Sequence, residues 1–133
     1  MAPQTVETAN RMTESALRRR AKEARTWLFE SCFPLWAEHG LTPAGLFPEV
    51  LSLDHDDLPR ETTRVRVQAR QTYVFAEAWR LGWKRDVSAR LVQAGVSVLT
   101  GPALAPTGLP GRILRADGSG LADASADLYD TAF

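Results

Sequence analysis

The polar residues of the stretch 63–82 are the ones whose types and spacing could hold a ligand. On a helix of about 3.6 residues per turn, they fall into one narrow stripe: Arg66, Arg70, Tyr73, Glu77 and Arg80. Arg70 has no acidic residue three or four positions away on either side, so an ion pair within the helix does not account for it. A planar guanidinium at this position could bind the oxygens of a ligand through paired hydrogen bonds.

The other charged residues of the stripe have a simpler interpretation. Arg66, Glu77 and Arg80 can lie in solvent and pair at spacings of three and four residues, which stabilises a helix by about 0.2–0.5 kcal/mol per pair. If Arg70 is also such a surface charge, the three arginines of the stripe are equivalent and none of them binds a ligand.

The helix that carries the stripe is predicted to be buried on most of its sides. Nearly all of its other residues are apolar or small, and only Gln68 and Gln71 interrupt one apolar flank. An ordinary surface helix, by contrast, has one apolar stripe and a broad polar back. The polar stripe is therefore expected to face water, a cavity or a partner. Gly82 is expected to end the helix in the left-handed conformation, followed by Trp83 as an apolar contact.

The elements around this helix follow from hydrophobic spacing and turn-forming residues. A long helix is predicted from Thr8 or Thr13 to His39, kinked at Pro34. The other predicted elements are a hairpin or extended loop within 41–62, a helix from an N-cap at Asp86 to about Thr100, a loop over 101–111, a hairpin over 112–123 turning at Asp117-Gly118, and the start of a last helix at Asp123 or Ser125. Gly95 is expected to weaken the helix after Asp86 modestly. Residues 1–7 are predicted to be a disordered tail, and residues 1–133 a single incomplete domain.

Two features suggest other chemistry, and each has a simpler explanation. The cluster Asp54-His55-Asp56-Asp57 lacks the Gly and the terminal Glu of a calcium loop and the second imidazole of a zinc site. A solvated turn is predicted there, with no metal and no cofactor. Cys32, the one cysteine of the sequence, lies in an apolar helix among aromatic residues, which is typical of a buried structural thiol rather than a nucleophile.

The composition excludes several classes of function. The chain carries 16 basic and 16 acidic residues, so its net charge does not favour nucleic acid as a partner. The basic run from Arg18 to Arg25 has no interleaved aromatic residues and is predicted to be a solvated helix face. There is no apolar leader and no run of about 18 apolar residues. A cytoplasmic protein without a membrane partner is therefore expected.

Three strings, in this order, carry a resemblance to a known family: GLFPEVLSLDHDDLP at 45–59, RVRVQARQTYVFAEA at 64–78 and DLYDTAF at 127–133. The chain resembles the N-acylglucosamine 2-epimerase family of sugar 2-epimerases and aldose–ketose isomerases, from about Trp27 onward. The resemblance implies an all-α fold, the N-terminal portion of an (α/α)6 barrel with short β-hairpin loops, incomplete in this chain. A repeat of Leu51…Asp54…Leu58 as Leu114…Asp117…Leu121 agrees with such an architecture.

The resemblance also implies a chemistry, which is proton transfer at C2 of a hexose. Such a reaction needs a general acid/base and a donor set for the developing enediolate. By resemblance Arg70 and Tyr129 match substrate-contacting residues, and Tyr73 stands where the family often has Trp, so these three form the predicted sugar-binding set. The family's catalytic histidines lie beyond Phe133. Neither His39 nor His55 matches them, so no catalytic residue is assigned, and it stays open whether this chain is itself an enzyme.

Two classes of function stay open. One is a fragment of a carbohydrate isomerase, inactive alone; the pattern stops at Ala132-Phe133 without a helix cap, which favours truncation. The other is a short, non-catalytic helical interaction module derived from the same scaffold. In either case uncovered helix faces are expected to promote association.

Overall fold

The computed structural model describes residues 4–52, 54 and 60–132, with the backbone alone for residues 4–12. The chain separates into two compact units that divide between Pro34 and Leu35. The first unit is helical, and the second combines helices with a small sheet.

The first unit contains one long helix and a widened helical turn. Helix α1 covers Gln4–Trp27, and a π-helical turn follows over Leu28–Cys32. Pro34 has no N–H to donate, and its ring clashes with the preceding turn of a regular helix. The N–H of Phe33 bonds to the carbonyl of Leu28, five residues back, so the wider turn lies where the sequence predicted a kink.

The start of α1 lies inside the segment predicted to be a tail, since the helix begins at Gln4; residues 1–3 lie outside the described part of the chain. The basic run on α1 is exposed, as predicted. Arg20 pairs with Glu23 at 2.7 Å, and Arg18 pairs with Glu14. Helix α2 then covers Phe33–His39.

Helix α3, which carries the polar stripe, covers Val65–Arg80. Its end is as predicted, because Gly82 has a φ of 84°. The Gly82 N–H bonds to the carbonyl of Trp79, and the N–H of the buried Trp83 bonds to the carbonyl of Ala78. This pair of hydrogen bonds is the Schellman motif. The local sequence therefore determines where α3 ends.

Helix α4 covers Arg85–Leu99, and its N-cap is Lys84. The predicted N-cap at Asp86 is wrong, because the chain already enters the helix at Arg85 and places Asp86 in the first turn. A carboxylate in the first turn still interacts favourably with the helix dipole. Asp86 therefore suits either position, and the predicted N-cap lies two residues after the actual one.

The contact between α3 and α4 leaves no room for a side chain at Gly95. A Cβ atom built on this buried residue would lie 1.9 Å from Oγ1 of Thr72 and 3.1 Å from Cε2 of Phe47. The sequence interpretation treated Gly95 only as a weak helix former. Its actual role is to let the two helices approach closely.

A three-stranded antiparallel sheet connects the start of α3 to the later hairpin. Strands β1 (Thr62–Arg64), β2 (Ile113–Arg115) and β3 (Leu121–Asp123) lie in the order β1-β2-β3. The β2–β3 hairpin was predicted, whereas β1 was not: α3 was expected to begin at Thr63. Thr63 instead pairs with Leu114 in a strand. The prediction missed this strand because its pairing partner is distant in sequence.

One apolar cluster of the second unit joins the sheet to α3 and α4. Among the described residues, its buried members are Leu46, Val65, Val98, Ala103 and Leu114. Phe47 and Phe75 are also buried in this unit and stack on each other. Residues 101–112 form turns between α4 and β2, as predicted. Of the predicted hairpin or loop within 41–62, Leu53 and residues 55–59 lie outside the described part of the chain, and the described remainder is not helical.

The chain is thus predominantly helical, as predicted, with a small sheet in addition. The last described helix, α5, covers Leu128–Thr131 and is capped by Asp127, whose side chain accepts a hydrogen bond from the Asp130 N–H. It begins later than the predicted Asp123 or Ser125. Among the described residues, no helix combines the length and apolarity needed to cross a membrane.

Candidate functional site

The polar side chains of α3 have distinct surroundings, and the most buried of them belongs to Gln68. Its Oε1 accepts a hydrogen bond of 2.8 Å from the N–H of Phe47, and its Nε2 donates one of 2.7 Å to the carbonyl of the same residue. Nε2 also lies 3.3 Å from Oγ1 of Thr63. The amide therefore fastens the segment around Phe47 to α3. The sequence interpretation saw Gln68 only as an interruption of an apolar flank, and that interruption was the available signal.

Arg66 is not a solvated member of the stripe. Its Nη1 lies 2.7 Å from Oδ1 of Asp130 in α5, and its guanidinium carbon lies 5.4 Å from the centre of the Tyr129 ring. The interpretation of Arg66 as a surface charge with a helical partner is therefore wrong, because its partner is 64 residues away. Arg80 does pair with Glu77, at 2.6 Å, on an exposed surface as predicted.

Arg70 contacts Tyr129, another residue of the predicted sugar-binding set. Nη2 of Arg70 donates a hydrogen bond of 2.9 Å to the Tyr129 hydroxyl, although 59 residues separate them. Both side chains are exposed, and the Tyr129 ring is 56% exposed. Tyr73, the third residue of the predicted set, lies one turn further along α3 and is 66% exposed. A solvent-accessible guanidinium beside a phenol can bind hydroxyl and carbonyl oxygens of a polar ligand.

The carboxylate of Asp130 lies in the midst of this site. It is buried, and besides Arg66 it faces Arg112, whose Nε lies 3.4 Å from its Oδ2. Arg112 is also 3.7 Å from Asp127. Side chains from α3, from the residue before β2 and from α5 therefore meet at one cluster of opposite charges.

Comparison with known proteins identifies the family to which these residues belong. The sequence profile of N-acylglucosamine 2-epimerase (GlcNAc 2-epimerase) matches residues 45–133. The chain belongs to the N-acylglucosamine 2-epimerase family. The match includes α3 and α5, and with them Arg70, Tyr73 and Tyr129.

One relative gives the extent of the similarity. A protein of Rhizobium meliloti (strain 1021) named mannose-6-phosphate isomerase is 37% identical over 114 residues, which cover 85% of this chain. The matched region corresponds to 29% of that relative, so the chain spans less than a third of its length. No solved structure matches the chain significantly.

A second ion pair fixes the start of α3 outside the candidate sugar site of this epimerase-family chain. Glu49 accepts hydrogen bonds from Arg64 at Nε (2.9 Å), Nη2 (2.7 Å) and the backbone N–H (2.7 Å). The Glu49 side chain is 10% exposed. These hydrogen bonds lower the pKa of Glu49 below its ordinary value of 4.5. The pair is a structural clamp on the residue that precedes Val65.

Of the residues considered for other chemistry, Cys32, His39 and Asp54 are described. Cys32 is half-buried, and burial raises the pKa of its thiol, as expected for an unreactive cysteine. His39 lies in the last turn of α2, whereas His55 lies outside the described residues. Asp54 is described and exposed, but the rest of its cluster is not described. Within the described residues there is no group of three side chains suited to a metal ion.

Proposed function

We propose that this chain supplies the sugar-binding residues Arg70, Tyr129 and Tyr73 of a carbohydrate isomerase or epimerase. The reaction is proton transfer at C2 of a hexose, and the candidate substrates are mannose, mannose 6-phosphate and N-acylglucosamine. The proposed setting is the cytoplasm, and the proposed architecture is the N-terminal part of an (α/α)6 barrel. In the same proposal, the chain alone is inactive.

The hydrogen bond between Arg70 and Tyr129 is the observation that carries this proposal. The family resemblance pointed to each residue separately, from two strings far apart in the sequence. Their side chains are 2.9 Å apart and exposed, so both can contact the same ligand. Family membership and the name of the Rhizobium relative support a sugar as that ligand.

The chemistry of the pair suits a sugar that passes through an enediolate. The planar guanidinium of Arg70 can donate two parallel hydrogen bonds to neighbouring oxygens. A fixed cation near the carbonyl oxygen stabilises the negative charge that develops when the C2 proton leaves. Tyr129 and Tyr73 can donate hydrogen bonds to hydroxyl groups and pack their rings against the apolar face of the sugar. The proton acceptor is not assigned to any described residue.

Sugar binding by the 133-residue chain tests the proposal. Mannose, mannose 6-phosphate and N-acetylglucosamine are titrated into the chain, and binding is followed by NMR. We expect at least one sugar to shift the signals of Arg70 and Tyr129, and Arg70→Ala to abolish those shifts. Arg80→Ala, on the same helix but paired with Glu77, is the matched control. If no sugar moves these signals, or if the two variants behave alike, the proposed site is wrong.

The second candidate is a non-catalytic helical interaction module. It is favoured by an apolar groove of about 240 Å³ on the α3–α4 surface, lined by Ala76, Trp79, Ala89, Val92, Gln93 and Val96. Trp79 is 46% exposed and Val96 40% exposed. Sedimentation velocity with a concentration series separates the candidates: a binding module gives association that Trp79→Ala weakens and that sugars leave unchanged.

A further inference from the structure

Helix α5 is held in place by charge rather than by apolar packing. It has four residues, and Asp130 is its one buried residue. Leu128, the apolar residue of the helix, is 89% exposed. A single turn of helix is not stable without tertiary contacts. The contacts of Asp130 therefore decide where α5, and Tyr129 within it, is located.

Two arginines from different elements converge on the Asp130 carboxylate. Arg66 of α3 approaches Oδ1 at 2.7 Å, and Arg112, directly before β2, approaches Oδ2 at 3.4 Å. Burying a carboxylate is unfavourable unless opposite charges compensate it. The backbone gives Arg112 a second tie to α3, because its carbonyl accepts the N–H of Val65 at 2.9 Å. The two cations are thus fixed on the elements that α5 must meet.

We propose that Asp130 is the positioning residue of the sugar-binding site, holding the Tyr129 hydroxyl against Arg70. This inference rests on the proposed function, since it concerns the same site. Arg66 contacts both Asp130 and Tyr129: it binds the Asp130 carboxylate, and its guanidinium carbon lies 5.4 Å from the centre of the Tyr129 ring. Without the carboxylate, α5 loses its buried anchor and Tyr129 leaves Arg70, although Arg70 and Tyr129 are themselves unchanged.

The tyrosines of the chain make this inference measurable. The sequence contains two, Tyr73 and Tyr129, so a sample labelled in the tyrosine rings gives signals that Tyr73→Phe assigns. We expect nuclear Overhauser contacts from the Tyr129 ring to Arg66 and Arg70 in the unaltered chain. Asp130→Asn, which keeps the size and removes the charge, should abolish them while the Tyr73 signals stay in place. Glu77→Gln, which removes a carboxylate from an exposed pair on α3, is the matched control and should change nothing at Tyr129.

Mannose binding by the same samples separates the two proposals. We expect Asp130→Asn to weaken binding about tenfold or more, the cost of having to order an unanchored group on binding. If the unaltered chain binds neither mannose, mannose 6-phosphate nor N-acetylglucosamine, the proposed function loses its support, yet the Tyr129 contacts still decide the role of Asp130. The positioning role is overturned if the unaltered chain lacks those contacts or if Asp130→Asn keeps them.

A second variant covers the case in which Asp130→Asn does not fold, as judged by circular dichroism. Arg112→Gln removes the longer of the two ion pairs and leaves Arg66 on Asp130. It should weaken the Tyr129 contacts in part and raise the dissociation constant for mannose by a smaller factor. A folded Arg112→Gln chain with unaltered Tyr129 signals overturns the inference that the charge cluster positions α5.

Discussion

Helix α3 contacts α4 and α5 through different chemistry. Against α4 the contact is tight and mostly apolar. At Gly95, Thr72 of α3 already fills the space that a Cβ atom would occupy. Against α5 the contact includes a hydrogen bond from Arg70 and an ion pair from Arg66. One helix therefore faces a close-packed neighbour and a neighbour held by charge.

The difference separates the functions of the two contacts. Close packing fixes a backbone rigidly, because any change of volume has to be accommodated by the neighbours. The Arg70–Tyr129 hydrogen bond lies at an exposed surface, where its groups can exchange with water or with a ligand, whereas the buried Asp130 carboxylate keeps α5 in place. The α3–α4 pair thus forms the scaffold, and the α3–α5 contact holds the proposed sugar site.

The largest effect on the α5 side is expected from Arg70→Ala, measured as activity. The assay uses a chimaera in which this chain replaces the matched segment of the Rhizobium relative. Arg70→Ala should lower kcat/KM by about 2–4 kcal/mol, the scale for one donor aimed at developing charge. Arg70→Lys should recover little, since a point charge does not reproduce the planar fork. A loss below 1 kcal/mol in a folded chimaera would place Arg70 outside the site.

On the α4 side the expected effect is on stability. Gly95→Ala should reduce the free energy of unfolding by about 2 kcal/mol, because the new Cβ overpacks the contact more than alanine improves the helix. Combining it with Thr72→Ala, which removes the Oγ1 atom 1.9 Å from that Cβ, should recover part of the loss. Urea unfolding of the single and double variants measures the coupling. Strictly additive losses would mean that the helices do not touch at this point.

The same contrast explains what the sequence could predict. The end of α3 at Gly82 and the β2–β3 turn at Asp117-Gly118 are encoded by neighbouring residues, so local rules found them. Arg70 and Tyr129 were predicted as site residues through a resemblance, and their contact came from the structure. Gly95 looked like a weak point of α4 because Thr72, the residue that leaves no room for a side chain there, lies on another helix.

The charged contacts were the hardest to predict. Arg66 looked like any surface arginine, since Asp130 is 64 residues away and nothing in a helical pattern connects them. Gln68 was misplaced for a similar reason: its hydrogen bonds go to Phe47, in a segment without regular secondary structure. Strand β1 was missed because three residues become a strand only through pairing with β2.

An intermediate effect is expected at the start of α3, where the Glu49–Arg64 pair clamps the chain. The pKa of Glu49 is lowered in the folded chain, chiefly by its hydrogen bond from Arg64. The folded state therefore binds this proton less readily than the unfolded state, and the pair stabilises the fold at pH values above the ordinary pKa of 4.5. That stability is lost as the pH falls through the lowered pKa.

Thermal unfolding between pH 3 and pH 7 measures this contribution. Glu49→Gln should destabilise the chain at neutral pH and flatten the acid limb of the stability curve. If the variant and the unaltered chain lose stability in parallel as the pH falls, the clamp does not contribute, and the start of α3 is held by its backbone pairing with β2 alone.

The smallest effect is expected from Arg80→Ala, on the same helix but paired within α3. Its partner Glu77 is three residues away, and the Arg80 side chain is 66% exposed. An exposed pair of this kind gains little, because water screens both charges and two flexible side chains must be ordered. The melting temperature of the chain and the kcat/KM of the chimaera should both stay within experimental error.

Arg80 and Arg70 lie on one stripe in the sequence, so their difference tests whether contact with α5, rather than the presence of an arginine on this face, defines the site. Equal losses at both positions would mean that the stripe acts as a whole.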